Sequence, residues 1–131
     1  MIKITFCETE NAEFSTIESY QDSDFHSKQR LSAKSYKVES ISLEDLLEYH
    51  KAPYEIDYLP IDTEGSEFHI LKDFNFSKYK INIITVEHNY TENRGKIFKM
   101  PTRNGFVRMY ESISLFDDWY VRGNIFNEII N

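Results

Sequence analysis

Glycine, proline and cysteine are all scarce in this chain. The four glycines, Gly65, Gly95, Gly105 and Gly123, stand isolated, so no glycine-rich strand-turn-helix loop is available to let a backbone approach a nucleotide. A single cysteine, Cys7, excludes an internal disulfide framework and offers no zinc-ligand spacing. No apolar run approaches the length that spans a bilayer, and the stretch from Met1 to Glu8 lacks the hydrophobic centre of a secretory signal. Positive charge is short as well. A net charge of −7 argues against a non-specific nucleic-acid surface. The expectation is a cytoplasmic protein with neither nucleic acid nor membrane among its partners. With 131 residues, 40% of them hydrophobic and 28% charged, the composition is that of a soluble globular protein of one domain at most. That length is small for a complete doubly wound enzyme.

Along the chain, Ile2, Ile4 and Phe6 alternate with polar neighbours and predict a half-buried strand. Asn11 to Ser35 is polar and reads as a long loop, followed by a short strand over Lys37 to Ile41. Ser42 then opens a helix: its hydroxyl can cap the first amides, Asp45 stands where a capping box needs an acid, and Ile41 can staple onto Leu46. Pro53 ends that helix. Tyr54 to Ile61 predicts a strand in which Pro60, unable to donate to a ladder, favours an edge or bulged position. Ser66 or Thr63 can cap a short helix reaching about Asp73. Lys80 to Glu87, rich in β-branched residues, predicts a strand buried on both faces. Thr91 to Met100 reads as a helix stopped or kinked by Pro101. Phe106 to Tyr110 and Trp119 to Val121 close the chain as antiparallel neighbours, and the tail carrying Ile125, Phe126, Ile129 and Ile130 is amphipathic.

The segment with the most chemistry is Ile61-Asp62-Thr63-Glu64-Gly65-Ser66-Glu67. An apolar strand ends in three carboxylates around a glycine, just where an open α/β sheet presents its ligand crevice. Held together, such carboxylates are costly unless something compensates them. This phrase, the helix Phe68-His69-Ile70-Leu71-Lys72 and the strand Ile83-Ile84-Thr85-Val86-Glu87-His88 resemble the later half of the FkbM family of S-adenosylmethionine-dependent methyltransferases. Ile41-Ser42-Leu43-Glu44-Asp45-Leu46-Leu47, Asn104-Gly105-Phe106 and Asp117-Asp118-Trp119-Tyr120-Val121 extend the resemblance on either side.

That resemblance implies an α/β fold: the later half of a Rossmann-like class I methyltransferase sheet, mixed parallel and antiparallel and flanked by helices. Residues 1–131 would form one partial domain, with a strand and long loop over 1–36, a core over 37–121 and a tail over 122–131. It further implies methyl transfer from S-adenosylmethionine to an oxygen or nitrogen of a small molecule or sugar. Family members open with a glycine-bearing turn that this chain lacks, and they often carry lysine where Pro60 stands. The isolated chain is therefore expected to bind the cofactor poorly. The alternative is a truncated, non-catalytic remnant that binds a partner, as a homodimer or with a separately encoded first half.

Within the resemblance Asp62 would orient donor or acceptor, Glu64 would contact the cofactor beside it, and Glu87 or His88 would accept the acceptor's proton. Adjacent strand residues face opposite ways, so only one of Glu87 and His88 is expected at the crevice. A capping role for Asp62 and Glu67, and a satisfied structural histidine at position 88, are the plainer alternatives. Glu87 or Asp62 with His88 would offer mixed oxygen and nitrogen ligands to a divalent metal, but no histidine spacing supports one and none is expected. His26, His50 and His69 read as structural or surface residues. The triplets Asn75-Phe76-Ser77 and Asn89-Tyr90-Thr91 read as chance glycosylation matches. Lys96, Lys99, Arg103 and Arg108 form either a solvated face or a contact for an anionic acceptor.

Overall fold

The structure is a computed structural model that describes residues 2–20, 28 and 32–130. Two sheets organise it. The first is antiparallel, in the order β2-β1-β3, from β1 (Ile2–Glu8), β2 (Thr16–Ile17) and β3 (Lys34–Ser40). The region expected as loop holds more than loop. Ala12–Phe14 and Glu18–Tyr20 are 3-10 turns, and β2 pairs with β1 through Phe6↔Ile17 and Cys7↔Thr16. The strand expected to begin at Lys37 begins at Lys34, because Lys34 and Ser35 find partners in Glu8 and Cys7. Most of β3 is exposed, so its apolar pattern is weak and pairing, not periodicity, sets its start. The middle of the expected loop, His26 included, lies outside the described residues.

α1 (Leu43–Tyr49) starts as the sequence demands: the Asp45 amide donates to Ser42 Oγ at 3.1 Å, and that hydroxyl donates to Asp45 Oδ2 at 2.7 Å. The expected staple pair stays largely in solvent, with Ile41 44% and Leu46 39% exposed; Leu43 and Leu47 carry the packing instead. The helix already ends at His50, ahead of Pro53, where Lys51 turns the chain with φ +51°.

The second sheet has the order β4-β5-β7-β6, from β4 (Glu55–Ile61), β5 (Lys80–Glu87), β6 (Phe106–Met109) and β7 (Asp117–Arg122). β4 and β5 run parallel, joined by a crossover through α2 (Glu67–Lys72), and β7 is antiparallel to both β5 and β6. Pro60 sits on the edge strand, the place in a sheet where a missing N–H is tolerated. β5 is interior, and Ile81, Ile84 and Val86 are fully buried. Each such side chain contributes about 1.5–3 kcal/mol by leaving water.

α3 (Arg94–Arg103) runs through Pro101 rather than stopping at Met100. Pro101 is completely buried, and only one further turn follows it, closed by Asn104 N–H donating to the Pro101 carbonyl at 2.9 Å. Burial of the ring and that short remainder outweigh the lost amide. Gly105, with φ +84°, turns the chain into β6, and its carbonyl accepts the Gly123 amide at 2.9 Å. A Cβ at position 123 would lie 3.2 Å from that carbonyl, so glycine permits the close approach. The amphipathic tail forms α4 (Gly123–Ile129). Among the described residues no helix is long and apolar enough to cross a membrane.

Candidate active site

Strand direction assembles the site. Because β4 and β5 are parallel and Ile61 registers with Val86, Asp62 and Glu87 leave the sheet at the same edge. β7 runs the other way, so its first residue, Asp117, registers with Glu87. Three carboxylates from three strands thus meet at one rim.

Glu67 shapes the turn beneath them. Its Oε1 accepts the Thr63 amide at 2.8 Å, the Thr63 hydroxyl at 3.0 Å and the Gly65 amide at 3.0 Å. Glu64 and Gly65 both take positive φ, +55° and +114°, a sharp reversal for which Gly65 is suited. Ser66, expected as a cap, makes no cap bond and donates to Thr63 Oγ1 at 2.7 Å, leaving the work to Glu67. Thr16 of the first sheet donates to the Glu64 carbonyl at 2.6 Å and ties the two sheets together at this point.

Between them lies a cleft of about 940 Å³. Ile4, Phe6, Ile17 and Phe116 give it apolar walls, while Asp62, Glu64, Glu87 and Asp117 line its rim. Burial, then the charges of Asp62, Glu64 and Glu67, push Glu87 up to about 8, with the neighbouring Asp62 carboxyl adding to the rise. Burial and the neighbouring Asp62 and Asp118 raise Asp117 too. A carboxyl that exchanges its proton near neutrality is suited to general acid–base work.

Asp62, Glu64 and Glu87 therefore come together, whereas His88 does not line the cleft. It packs inward, nearly unexposed, with Nδ1 accepting the Tyr90 amide at 3.0 Å. That bond leaves the ring proton on Nε2, 3.7 Å from Asp118 Oδ1. Burial holds its pKa below the usual histidine value, Asp118 opposing and Arg94 and Arg108 assisting. Asp118 is the centre of that second cluster. Burial would raise it, but bonds from Arg94 at 2.8 and 3.1 Å, with the Arg94, His88 and Arg108 charges, hold it below the usual range. Arg108 also reaches Glu111 at 2.8 Å, and none of the basic cluster lines the cleft.

Oxygens of Asp62, Glu67 and Glu87 lie within 4.8 Å of one another, close enough for a shared cation, and Glu67 Oε1 already accepts from three donors of the turn. Turn closure accounts for its position. Asp117 and Asn89 stand outside the site residues expected from the residue pattern. The Asp117-Asp118 pair at a strand start was the available signal, since alternation sends one to each face; Asn89 gave none beyond lying two residues past Glu87.

The fold and site define an α/β protein with an acid-rimmed cleft at the carboxyl ends of parallel strands. Residues 3–121 match the Methyltransferase FkbM domain, and the chain belongs to that methyltransferase family. No curated protein and no solved structure matches the chain.

Proposed function

We propose that this protein takes part in methyl transfer from S-adenosylmethionine to an oxygen or nitrogen of a small molecule or sugar. The observation that carries this reading is the meeting of Asp62 and Glu87 at the carboxyl ends of β4 and β5, beside a cleft, in a chain of the FkbM family. On this reading β4-β5-β7-β6 is the later half of a Rossmann-like sheet, and residues 1–131 are a partial domain.

The chemistry of the rim fits part of the cofactor. Asp62 and Glu64 would hold its ribose hydroxyls or sit beside its positive sulfonium. When bound, it supplies an electrophilic methyl group. Asp62 orients the reacting groups across the rim, and the Glu87 carboxylate takes the proton that the acceptor releases. The apolar walls keep that proton transfer out of bulk water.

A second reading, a binding module without catalysis, is favoured by one feature: the sheet preceding β4 is antiparallel, not a parallel βαβ unit with a cofactor turn. Calorimetric titration separates them. The 131-residue chain alone should show no saturable micromolar binding of S-adenosylmethionine, because the backbone cradle is missing among the described residues. Supplied with a complementing first half, it should transfer methyl groups, and Asp62→Asn should slow transfer by about tenfold or more. Unchanged turnover in Asp62→Asn would reduce Asp62 to a turn residue. Absence of transfer in every assembly would leave the binding module.

A further inference from the structure

Asn89 follows the end of β5 and has no part in the roles assigned above. It is 8% exposed, lines the cleft, and its carboxamide makes no hydrogen bond to any described residue. The residue is packed on most sides, yet its carboxamide atoms keep solvent access at the cleft and so are available to a ligand. The backbone that presents it is unusual as well, with φ +40° at Asn89 and +56° at Tyr90, neither a glycine.

The charge around it is one-sided. Glu13, Asp62, Glu64, Glu87 and Asp117 line the cleft, and among the described residues no lysine, arginine or histidine does. An anionic ligand would meet repulsion with no counter-charge. A neutral ligand would leave the repulsion among the carboxylates unrelieved. An ammonium group does better on both counts: it brings positive charge, and its three N–H donors suit the carboxyl oxygens of the rim, where Glu87 keeps its proton up to about 8, and the Asn89 carbonyl oxygen.

We propose that the cleft recognises its acceptor through a protonated primary amine, held between the carboxylates of the rim and the open carboxamide of Asn89. This rests on the methyltransferase reading for the word acceptor; recognition of the amine itself is independent of any transfer. Asn89 is then a contact residue that sets specificity by charge.

The test uses the 131-residue chain without methyl donor and three sugars of one shape: glucosamine, glucose and glucuronate. At about pH 6 the amine is protonated and the uronate ionised. The side-chain amide signals of Asn89 are followed by nitrogen-15 NMR. Glucosamine should shift them saturably, glucose should bind at least about tenfold more weakly, and glucuronate should leave them unmoved. Asn89→Ala should weaken glucosamine binding by about tenfold while the remaining amide spectrum is retained. Should that variant not fold, Asp117→Asn serves in its place, with weaker glucosamine binding expected. Equal binding of the three sugars, or no shift with glucosamine, overturns the proposal. S-adenosylmethionine is added alone in a further arm. If it moves the Asn89 signals and displaces glucosamine, the acids serve the donor's positive charge and the proposal falls. A separate radiolabelled transfer assay reports on the enzyme: transfer to a neutral alcohol without amine preference sinks this inference alone, and amine binding without transfer sinks only the enzymatic reading.

Discussion

Replacing Glu87 with glutamine isolates the cost of crowding carboxylates at the strand ends. In the folded chain Glu87 titrates at about 8, against 4.5 for an ordinary glutamate. The folded state therefore binds the proton more tightly than the unfolded state, and the sign follows. Below the ordinary value both states are protonated and no penalty exists. As pH rises from there the unfolded state ionises first, so stability falls, and the loss levels off above the folded value. Taken whole, at about 1.4 kcal/mol per tenfold step, the penalty would approach about 5 kcal/mol. Glu87 is half-buried and borders an open cleft, so solvent screening reduces this to about 1–2 kcal/mol. Glutamine is nearly isosteric with the protonated acid. Glu87→Gln should therefore match the parent in urea denaturation at about pH 4 and exceed it by about 1–2 kcal/mol at about pH 9. Parallel pH profiles for the two proteins would refute the crowded-rim argument, as would a loss of stability in the variant at both pH values.

Asp118→Asn should destabilise by about 3 kcal/mol near neutrality, since it strands Arg94 and Arg108 beside a buried site. Because the folded pKa of Asp118 is depressed, its contribution is present above the unfolded value of 3.8 and is lost as pH falls through the folded one; urea melts in acid should show the two proteins converging. Glu67→Ala removes three accepted bonds and should cost about 2–3 kcal/mol, with faster hydrogen exchange at the Thr63 and Gly65 amides as its local signature. The free edge of β4, with Tyr54 just before the strand and Tyr58 on its face, 66% and 49% exposed, should drive association. Light scattering should find more than monomer at tens of micromolar, roughly the range where such edges pair, and a stable monomer there would remove the edge-strand argument.

Residue pattern alone determined the elements whose causes are local. The Ser42 cap needs only Ser42 and Asp45, and the buried character of Lys80 to Glu87 is written in its β-branched run. Pro60 announced an edge by lacking an amide, and the ordered phrases from Ile41 to Val121 were enough to bring out the family. Pairing was another matter. Lys34 and Thr16 became strand residues because β1 offered free amides and carbonyls, a condition no window of sequence contains. The site divided in the same way. Asp62 and Glu87 could be named from the strands they terminate, but their meeting with Asp117 depends on the antiparallel register of β7 against β5. Likewise, the burial of His88 beside Asp118, Arg94 and Arg108 follows from how β5, β7 and α3 pack, and the left-handed backbone at Asn89 and Tyr90, past the end of β5, sets Asn89 at the cleft. Long-range register decided those, because side-chain direction alternates at each residue and a shift of one position exchanges the core for the cleft.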